Sequence, residues 1–227
     1  MELKHEEALM AMVLDGAAPS PELKSWLATA AGKRELAAYQ KALGALNRLY
    51  GEARPPELPT VYYSALATPI GKIFVAATDT GLVCVSFAHN EADFAEEMRG
   101  QLRARFVKSA EKVAGVAAQL RDYFAGKRRV FDLPLDLRLT TPFQRQVLLA
   151  ALQIPCGQTL TYAGLAQRIG KPKAARAVGQ ALGRNPIPIV IPCHRVLASD
   201  GSLRGYSGGR GIETKAQLLQ LEGAWAR

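Results

Sequence analysis

The hydrophobic pattern changes period along the chain. Leu36, Tyr39, Leu43 and Leu46 recur at steps of three and four, which draws one apolar stripe down a helix. Before them, residues 15–21 (DGAAPSP) interrupt the chain, and Ser20-Pro21 reopens it as a helix, with serine as cap and proline in the first turn. Residues 60–87 carry β-rich runs instead. Val61-Tyr62-Tyr63, residues 72–78 (KIFVAAT) and residues 82–87 (LVCVSF) predict three strands, joined by turns at Pro69-Ile70-Gly71 and Asp79-Thr80-Gly81. Connections this short imply an antiparallel meander. Helical spacing returns over 91–105 through Phe94, Met98 and Leu102, and over 111–125 through Val116, Leu120 and Tyr123. Residues 130–133 (VFDL) predict a further strand.

From residue 138 the pattern is mainly helical. Thr141-Pro142 caps a helix whose apolar face is Phe143, Val147, Leu148 and Ala151. Thr161 caps a short helix over 162–169, with Leu165 and Ile169 inward. Gly170-Lys171 turns the chain, and Pro172 opens a helix with Ala175, Val178 and Leu182 on one side. Helix, glycine turn, helix over so few residues is the helix-turn-helix pattern. The fold class is therefore a small α/β unit followed by a mainly helical, winged-helix-like unit. The boundaries fall at 1–58 for a helical extension, 60–137 for the α/β domain and 138–227 for the helical domain. Residues 54–59 (RPPELP) form a stiff linker.

Composition narrows the function classes. Of the 227 residues, 48% are hydrophobic and 22% charged, which excludes a disordered chain. No apolar run approaches the roughly 20 residues of a membrane span, and the first residues have no signal-peptide core. Three cysteines are too few for a disulfide framework and point to a reducing compartment, the cytoplasm. The charge is unevenly placed. Residues 138–227 hold twelve Lys/Arg against three Asp/Glu, whereas residues 1–137 balance at 17 and 17. A basic half beside a neutral one suggests a polyanion, most often nucleic acid, or else merely a soluble basic face.

The densest chemical signal is residues 185–196 (NPIPIVIPCHRV). Three prolines forbid a helix and predict a rigid extended segment that delivers Cys193 at its end. A thiol reacts only as thiolate, and His194, Arg195 and the basic surroundings are expected to favour the anion. Neighbouring side chains diverge on an extended chain, so a water is the natural link between Cys193 and His194. The alternative is a buried structural cysteine. A zinc site does not fit, because there is no CxxC and the other histidines are His5 and His89.

Residues 143–222 resemble the O6-alkylguanine-DNA alkyltransferases, the methylated-DNA–protein-cysteine methyltransferases. The matching stretches are FQRQVLLAALQIPCGQTLTYAGLA, GKPKAARAVGQALGRNPIPIVIPCHRV, SDGSLRGYSGG and KAQLLQLEG. Residues 60–137 resemble, more loosely, that family's ribonuclease-H-like domain. The resemblance implies base flipping of O6-methylguanine, and O4-methylthymine, from double-stranded DNA. It implies irreversible single-turnover transfer of the alkyl group to Cys193, without metal or cofactor. His194 would then be general base through a water, oriented by Glu222, and Tyr162 would hydrogen-bond the flipped purine. Arg176 resembles the finger that fills the vacated stack, and Asn185 the hinge after the recognition helix. Lys173, Ala175, Arg184 and Arg195 are the remaining expected DNA contacts. Leu182, Val196, Leu203, Tyr206 and Ser207 are expected to line the pocket with Tyr162. The resemblance further implies a monomer that approaches the minor groove, associated with the nucleoid.

Each role has a plainer alternative: Tyr162 as a core-packing residue, Arg176 as a phosphate contact, Asn185 as a helix end, Glu222 as an exposed residue. Cys84 reads as core and Cys156 as incidental. The loop after Tyr206 holds two residues more than the family pattern, which Gly211-Ile212 restores. Residues 9–46 faintly resemble a small zinc-binding anti-sigma fold, but its cysteine positions read Ala30 and Lys33. Residues 1–58 are therefore expected to be a metal-free helical addition, serving an unidentified protein partner or stability alone. Two rivals remain. Alkyltransferase-like proteins recognise the lesion without repairing it, but lack the acceptor cysteine. Regulator fusions carry a cysteine-rich amino-terminal module, and residues 1–58 hold no cysteine.

Overall fold

Ser20 supplies an acceptor that the first helical turn lacks. Its hydroxyl takes the Leu23 N–H at 3.1 Å, with Pro21 at the first helical position. Helix α1 (Pro21–Leu27) and helix α2 (Ala30–Tyr50) follow. The structure is a computed structural model and describes residues 9, 12, 18–50 and 58–225. The side chains of Leu43 and Leu46, and residues 15–17 and 54–57 of the expected break and linker, lie outside the described residues. Residues 1–57 form one compact unit and residues 58–227 a second.

The second unit opens with the meander. Strands β1 (Thr60–Thr68), β2 (Gly71–Thr78) and β3 (Gly81–Ser86) pair antiparallel in sequence order. Side chains alternate across a strand, and β2 is buried on both faces. Ile73 and Val75 belong to one apolar cluster, Phe74 and Ala76 to the other. The smaller cluster packs under helix α3 (Glu91–Gln101), where Phe74 and Phe94 stack with centroids 4.9 Å apart.

Two expectations for this region are corrected. The helix read over 91–105 ends at Gln101, and Arg105–Lys108 forms strand β4, parallel to β1. The edge of β1 offers unpaired backbone groups, and a short extended stretch satisfies them better than another helical turn. Residues 130–133 are not a strand. Gln119 donates to the Asp132 carbonyl at 2.8 Å and accepts the Asp132 N–H at 2.9 Å, which takes up the backbone groups a neighbouring strand would use. Pairing with the sheet comes later, as a single bridge between Leu135 and Leu82.

Helix α4 (Ala114–Phe124) leads to the helical half. Helix α5 (Pro142–Leu152) is capped by Thr141 and helix α6 (Tyr162–Arg168) by Thr161, each hydroxyl accepting an N–H of the first turn. Gly170 turns at φ +73°, a conformation that favours glycine. A 3₁₀ turn (Pro172–Ala174) then feeds helix α7 (Ala175–Gly183), so α6 and α7 are the two helices of the helix-turn-helix. The α-helix begins three residues after Pro172 rather than at it. Strands β5 (Leu160–Thr161) and β6 (Val196–Leu197) pair parallel, and helix α8 (Ile212–Leu221) closes the described chain. One core runs from Ile73 and Leu82 of the sheet through Leu120 of α4 to Val147, Leu165 and Val178. It reaches Cys193 without a break, so the sheet and the helices together hold the reactive segment in place.

Candidate active site

Residues 185–192 are not extended, contrary to the sequence reading. They fold into a tight turn, with a bridge between Pro188 and Ile191 and with Ile189 at φ +75°. A β-branched residue in the left-handed region is strained, and it persists only where its surroundings hold it. Asn185 is the main holder. Its amide donates to the Ile191 carbonyl at 2.9 Å and to Cys193 Sγ at 3.2 Å, and its carbonyl oxygen accepts the Ile187 N–H at 3.0 Å. Two further bonds fix the ends of the turn. The Val85 N–H on β3 donates to the Pro186 carbonyl at 2.9 Å, and Gln144 on α5 donates to the Arg184 carbonyl at 2.6 Å. The sheet and α5 therefore grip the segment between α7 and the cysteine. In Asn185→Ala all three side-chain bonds vanish, and Sγ is free to shift. Misplacement of a reacting atom by about 1 Å lowers rates ~100-fold. We expect a fall of that order in the rate at which the Cys193 thiol is alkylated, with a melting temperature only a few degrees lower.

Cys193 opens a 3₁₀ turn (Cys193–Arg195) and is buried, 7% exposed. Burial pushes its thiol up from the ordinary value; the Asn185 hydrogen bond and the nearby Lys215 charge pull back part of the way. Net activation by His194 and Arg195, expected from the sequence, is not what the geometry provides. His194 is fully buried, with Nε2 3.0 Å from Glu222 Oε1. Burial holds the imidazole below its ordinary pKa against the pull of Glu222, so it is neutral at physiological pH. Burial by itself would raise the Glu222 carboxyl, but hydrogen bonds from His194 and Arg195 and the charge of Arg195 outweigh it and hold it well below the carboxylate range. With the carboxylate ionised, Nε2 carries the proton and Nδ1 keeps its lone pair. Nδ1 is buried without a protein partner among the described residues, poised to accept a proton.

Arg195 is the clearest correction. Expected to contact DNA, it is 5% exposed and bonds Glu222 with both Nε and Nη2 at 2.8 Å and the Ile154 carbonyl with Nη1 at 2.5 Å. A fixed bidentate fork inside the fold cannot reach a phosphate. Tyr123, read from the sequence as a core position only, adds a third partner by donating to Glu222 Oε1 at 2.7 Å.

Lys215 was missed altogether. It is fully buried on α8 and donates to the carbonyls of Val196 at 2.6 Å and Arg204 at 3.0 Å. It also stands 5.8 Å from the Tyr162 ring centre, within cation–π range. A lysine at helical spacing on an otherwise mixed face gives no sequence signal of burial. Burial lowers its pKa from 10.5 to about 8. Between those values the unfolded chain holds more protons than the folded one, so this group makes stability rise with pH. In urea melts between these two pH values, wild type should gain on the order of 2–3 kcal/mol relative to Lys215→Met.

A cavity of about 290 Å³ lies beside Cys193, lined in part by Leu182, Tyr206 and Ser207 as the sequence reading expected, and also by Asn185, expected there only as a hinge. Tyr162, Val196 and Leu203 are absent from its wall. The Tyr162 hydroxyl donates to the Arg204 carbonyl at 2.9 Å, Val196 is buried and serves through its carbonyl, and Leu203 is half-buried. Ser207 donates to the Gly183 carbonyl at 2.9 Å, tying the loop to the end of α7. In that loop Gly208 and Gly209 lie against Phe87. A Cβ at Gly208 would stand 2.6 Å from the Phe87 ring, so the close approach requires glycine. Lys173, Arg176 and Arg184 are exposed around α7, and Ala175 is half-buried.

The core that positions Cys193 joins two stretches that match known family models. Residues 61–137 match the 6-O-methylguanine DNA methyltransferase ribonuclease-like domain, and residues 142–224 match the DNA binding domain of the same proteins. The chain is 42% identical over 162 residues to a methylated-DNA–protein-cysteine methyltransferase of Methanosarcina barkeri, covering 71% of this chain and 97% of that one. It is 38% identical over 162 residues to the constitutive Bacillus subtilis protein of that name, covering 71% and 94%. Among solved structures, the Mycobacterium tuberculosis O6-methylguanine methyltransferase superposes with a TM-score of 0.62 at 40% identity, covering 74% of this chain and 95% of that one. The M. tuberculosis OGT in complex with DNA gives the same score and identity, covering 72% and 93%. Shared sequence, shared fold and near-complete coverage of these relatives leave one assignment: the chain belongs to the methylated-DNA–protein-cysteine methyltransferase family.

Proposed function

We propose that this protein repairs DNA directly, by moving the methyl group of O6-methylguanine in duplex DNA onto Cys193. One observation carries this reading. A buried cysteine faces a cavity sized for a small ligand, and the histidine beside it is neutral with a free, buried Nδ1. The proton leaves Sγ through a water to Nδ1, while Glu222 holds the ring and stabilises the imidazolium. Sγ then attacks the methyl carbon, the S–C bond forms as the C–O6 bond breaks, and guanine leaves with the electron pair. The thioether has no route to hydrolysis, so each molecule reacts once. Tyr162 acts at the purine from the pocket rim, after exchanging its bond to Arg204. O4-methylthymine is a second substrate of the same step.

Arg176 enters the stack as the base flips, with Lys173 and Arg184 on the phosphates and Ala175 at the groove surface. The minor groove is the docking site, since the lesion occurs in any sequence and base-edge readout would be a handicap. Residues 60–137 serve as a supporting domain and residues 138–227 as the reactive domain, acting as a monomer. The described cysteines are free thiols, which suits the cytoplasm and access to the nucleoid. Residues 1–58 are an addition that carries no part of the reaction, available to a protein partner. No described helix is long and apolar enough to cross a membrane.

The test is intact-protein mass spectrometry after mixing with a duplex carrying one O6-methylguanine. A gain of one CH₂ unit per molecule, mapped to the Cys193 peptide, supports the reading. Tight lesion-selective binding without mass gain would instead favour a recognition module.

A further inference from the structure

Part of the wall of the cavity beside Cys193 comes from β3 and α3. Ser86, at the end of β3, is 4% exposed. Its hydroxyl donates to Glu97 Oε2 at 2.5 Å and accepts the Ala88 N–H at 3.1 Å. The single hydroxyl proton is thereby committed, and it holds the Glu97 carboxylate against the cavity, whose lining includes both residues. Tyr206 also lines the cavity, and its hydroxyl is buried and has no protein partner among the described residues. The cavity volume is about 290 Å³. Its polar lining includes a carboxylate held by Ser86 and the uncommitted Tyr206 hydroxyl.

We propose that Glu97, positioned by Ser86, selects the O6 substituent by charge and hydrogen-bond sense, admitting alkyl groups that end in a donor and disfavouring anionic ones. This rests on the reading of Cys193 as alkyl acceptor. A 2-hydroxyethyl group can donate to the Glu97 carboxylate and meet the Tyr206 hydroxyl. A carboxymethyl group brings a second negative charge beside the solvent-exposed Glu97 carboxylate, and like charges repel. Chemistry is the same for both. Sγ bonds to the substituent's first carbon as the C–O6 bond breaks, guanine keeps the electron pair and takes up one proton, and Cys193 retains the thioether.

The experiment compares single-turnover rates of the full chain on three duplexes carrying O6-methyl-, O6-(2-hydroxyethyl)- and O6-carboxymethylguanine, for wild type, Glu97→Gln and Ser86→Ala. Intrinsic reactivities cancel when the hydroxyethyl-to-carboxymethyl ratio is compared between proteins. That ratio should fall at least fivefold in Glu97→Gln and by a smaller factor in Ser86→Ala, which keeps the charge but loosens it. An unchanged ratio overturns the proposal. So does an equal fall on all three duplexes, which would mark Glu97 as a structural or general electrostatic residue. Failure of wild type to react with the O6-methylguanine duplex would overturn the underlying reading instead.

Discussion

Cys193→Ala is expected to give no mass gain on any peptide after prolonged exposure to O6-methylguanine duplex. The other two thiols cannot take its place. Cys84 is 2% exposed inside the sheet core, where burial pushes its thiol far up. Cys156 is partly exposed, but burial raises its thiol as well, and it lies outside the cavity wall. Alanine removes one atom from a tightly held site, and Asn185 keeps its bonds to Ile191 and Ile187. The turn should therefore survive, with a stability change of about 1 kcal/mol. Affinity for the lesion should stay within a few-fold of wild type in a fluorescence titration. Transfer to Cys156 in this variant would sink the assignment of Cys193 as acceptor.

Glu222 carries the second large effect. Its carboxylate accepts from His194, from both ends of the Arg195 fork and from Tyr123, all buried. Removing one partner from a buried charge network leaves the others uncompensated, at about 3–5 kcal/mol. Glu222→Ala should accordingly lower the melting temperature by roughly 6–20 °C for a unit of this size. Glu222→Gln is the more informative variant, because it keeps the shape and removes the charge. His194 then loses the anion that stabilises its protonated form, and general-base assistance is worth about 10²–10⁴-fold. We expect single-turnover transfer to fall at least ~100-fold, with lesion binding retained. Stability against pH separates the two roles. The folded carboxyl titrates well below its ordinary 4.5, so its contribution is complete above about 4.5 and is lost as the pH falls further. Wild type should show this acid loss in urea melts, and Glu222→Gln should show it much reduced.

The caps at Ser20, Thr141 and Thr161, the three strands of the meander and the helix-turn-helix were all legible along the chain. Each depends on neighbours within a few residues. Strand β4 and the false strand at 130–133 were misread because edge pairing is decided by what lies alongside in space. Arg195 was misread, and Lys215 missed, for a related reason. A basic residue is exposed by default, and only the convergence of Glu222, Ile154, Val196 and Arg204 from distant positions makes burial affordable.

By itself, the order of residues determined most of the elements, the family resemblance around Pro192-Cys193-His194-Arg195, and Cys193 as the candidate nucleophile. Local propensity, capping and motif spacing are properties of short stretches of chain. The tertiary structure decided what state that nucleophile is in. Cys193 is buried rather than activated by adjacent cations, because the sheet, α5 and Asn185 together close the turn around it. It also decided that His194 is neutral, that Arg195 serves Glu222 rather than DNA, and that Ser86 and Glu97 face the cavity. Desolvation and charge pairing depend on what surrounds a group in three dimensions, and the linear order of residues does not contain that.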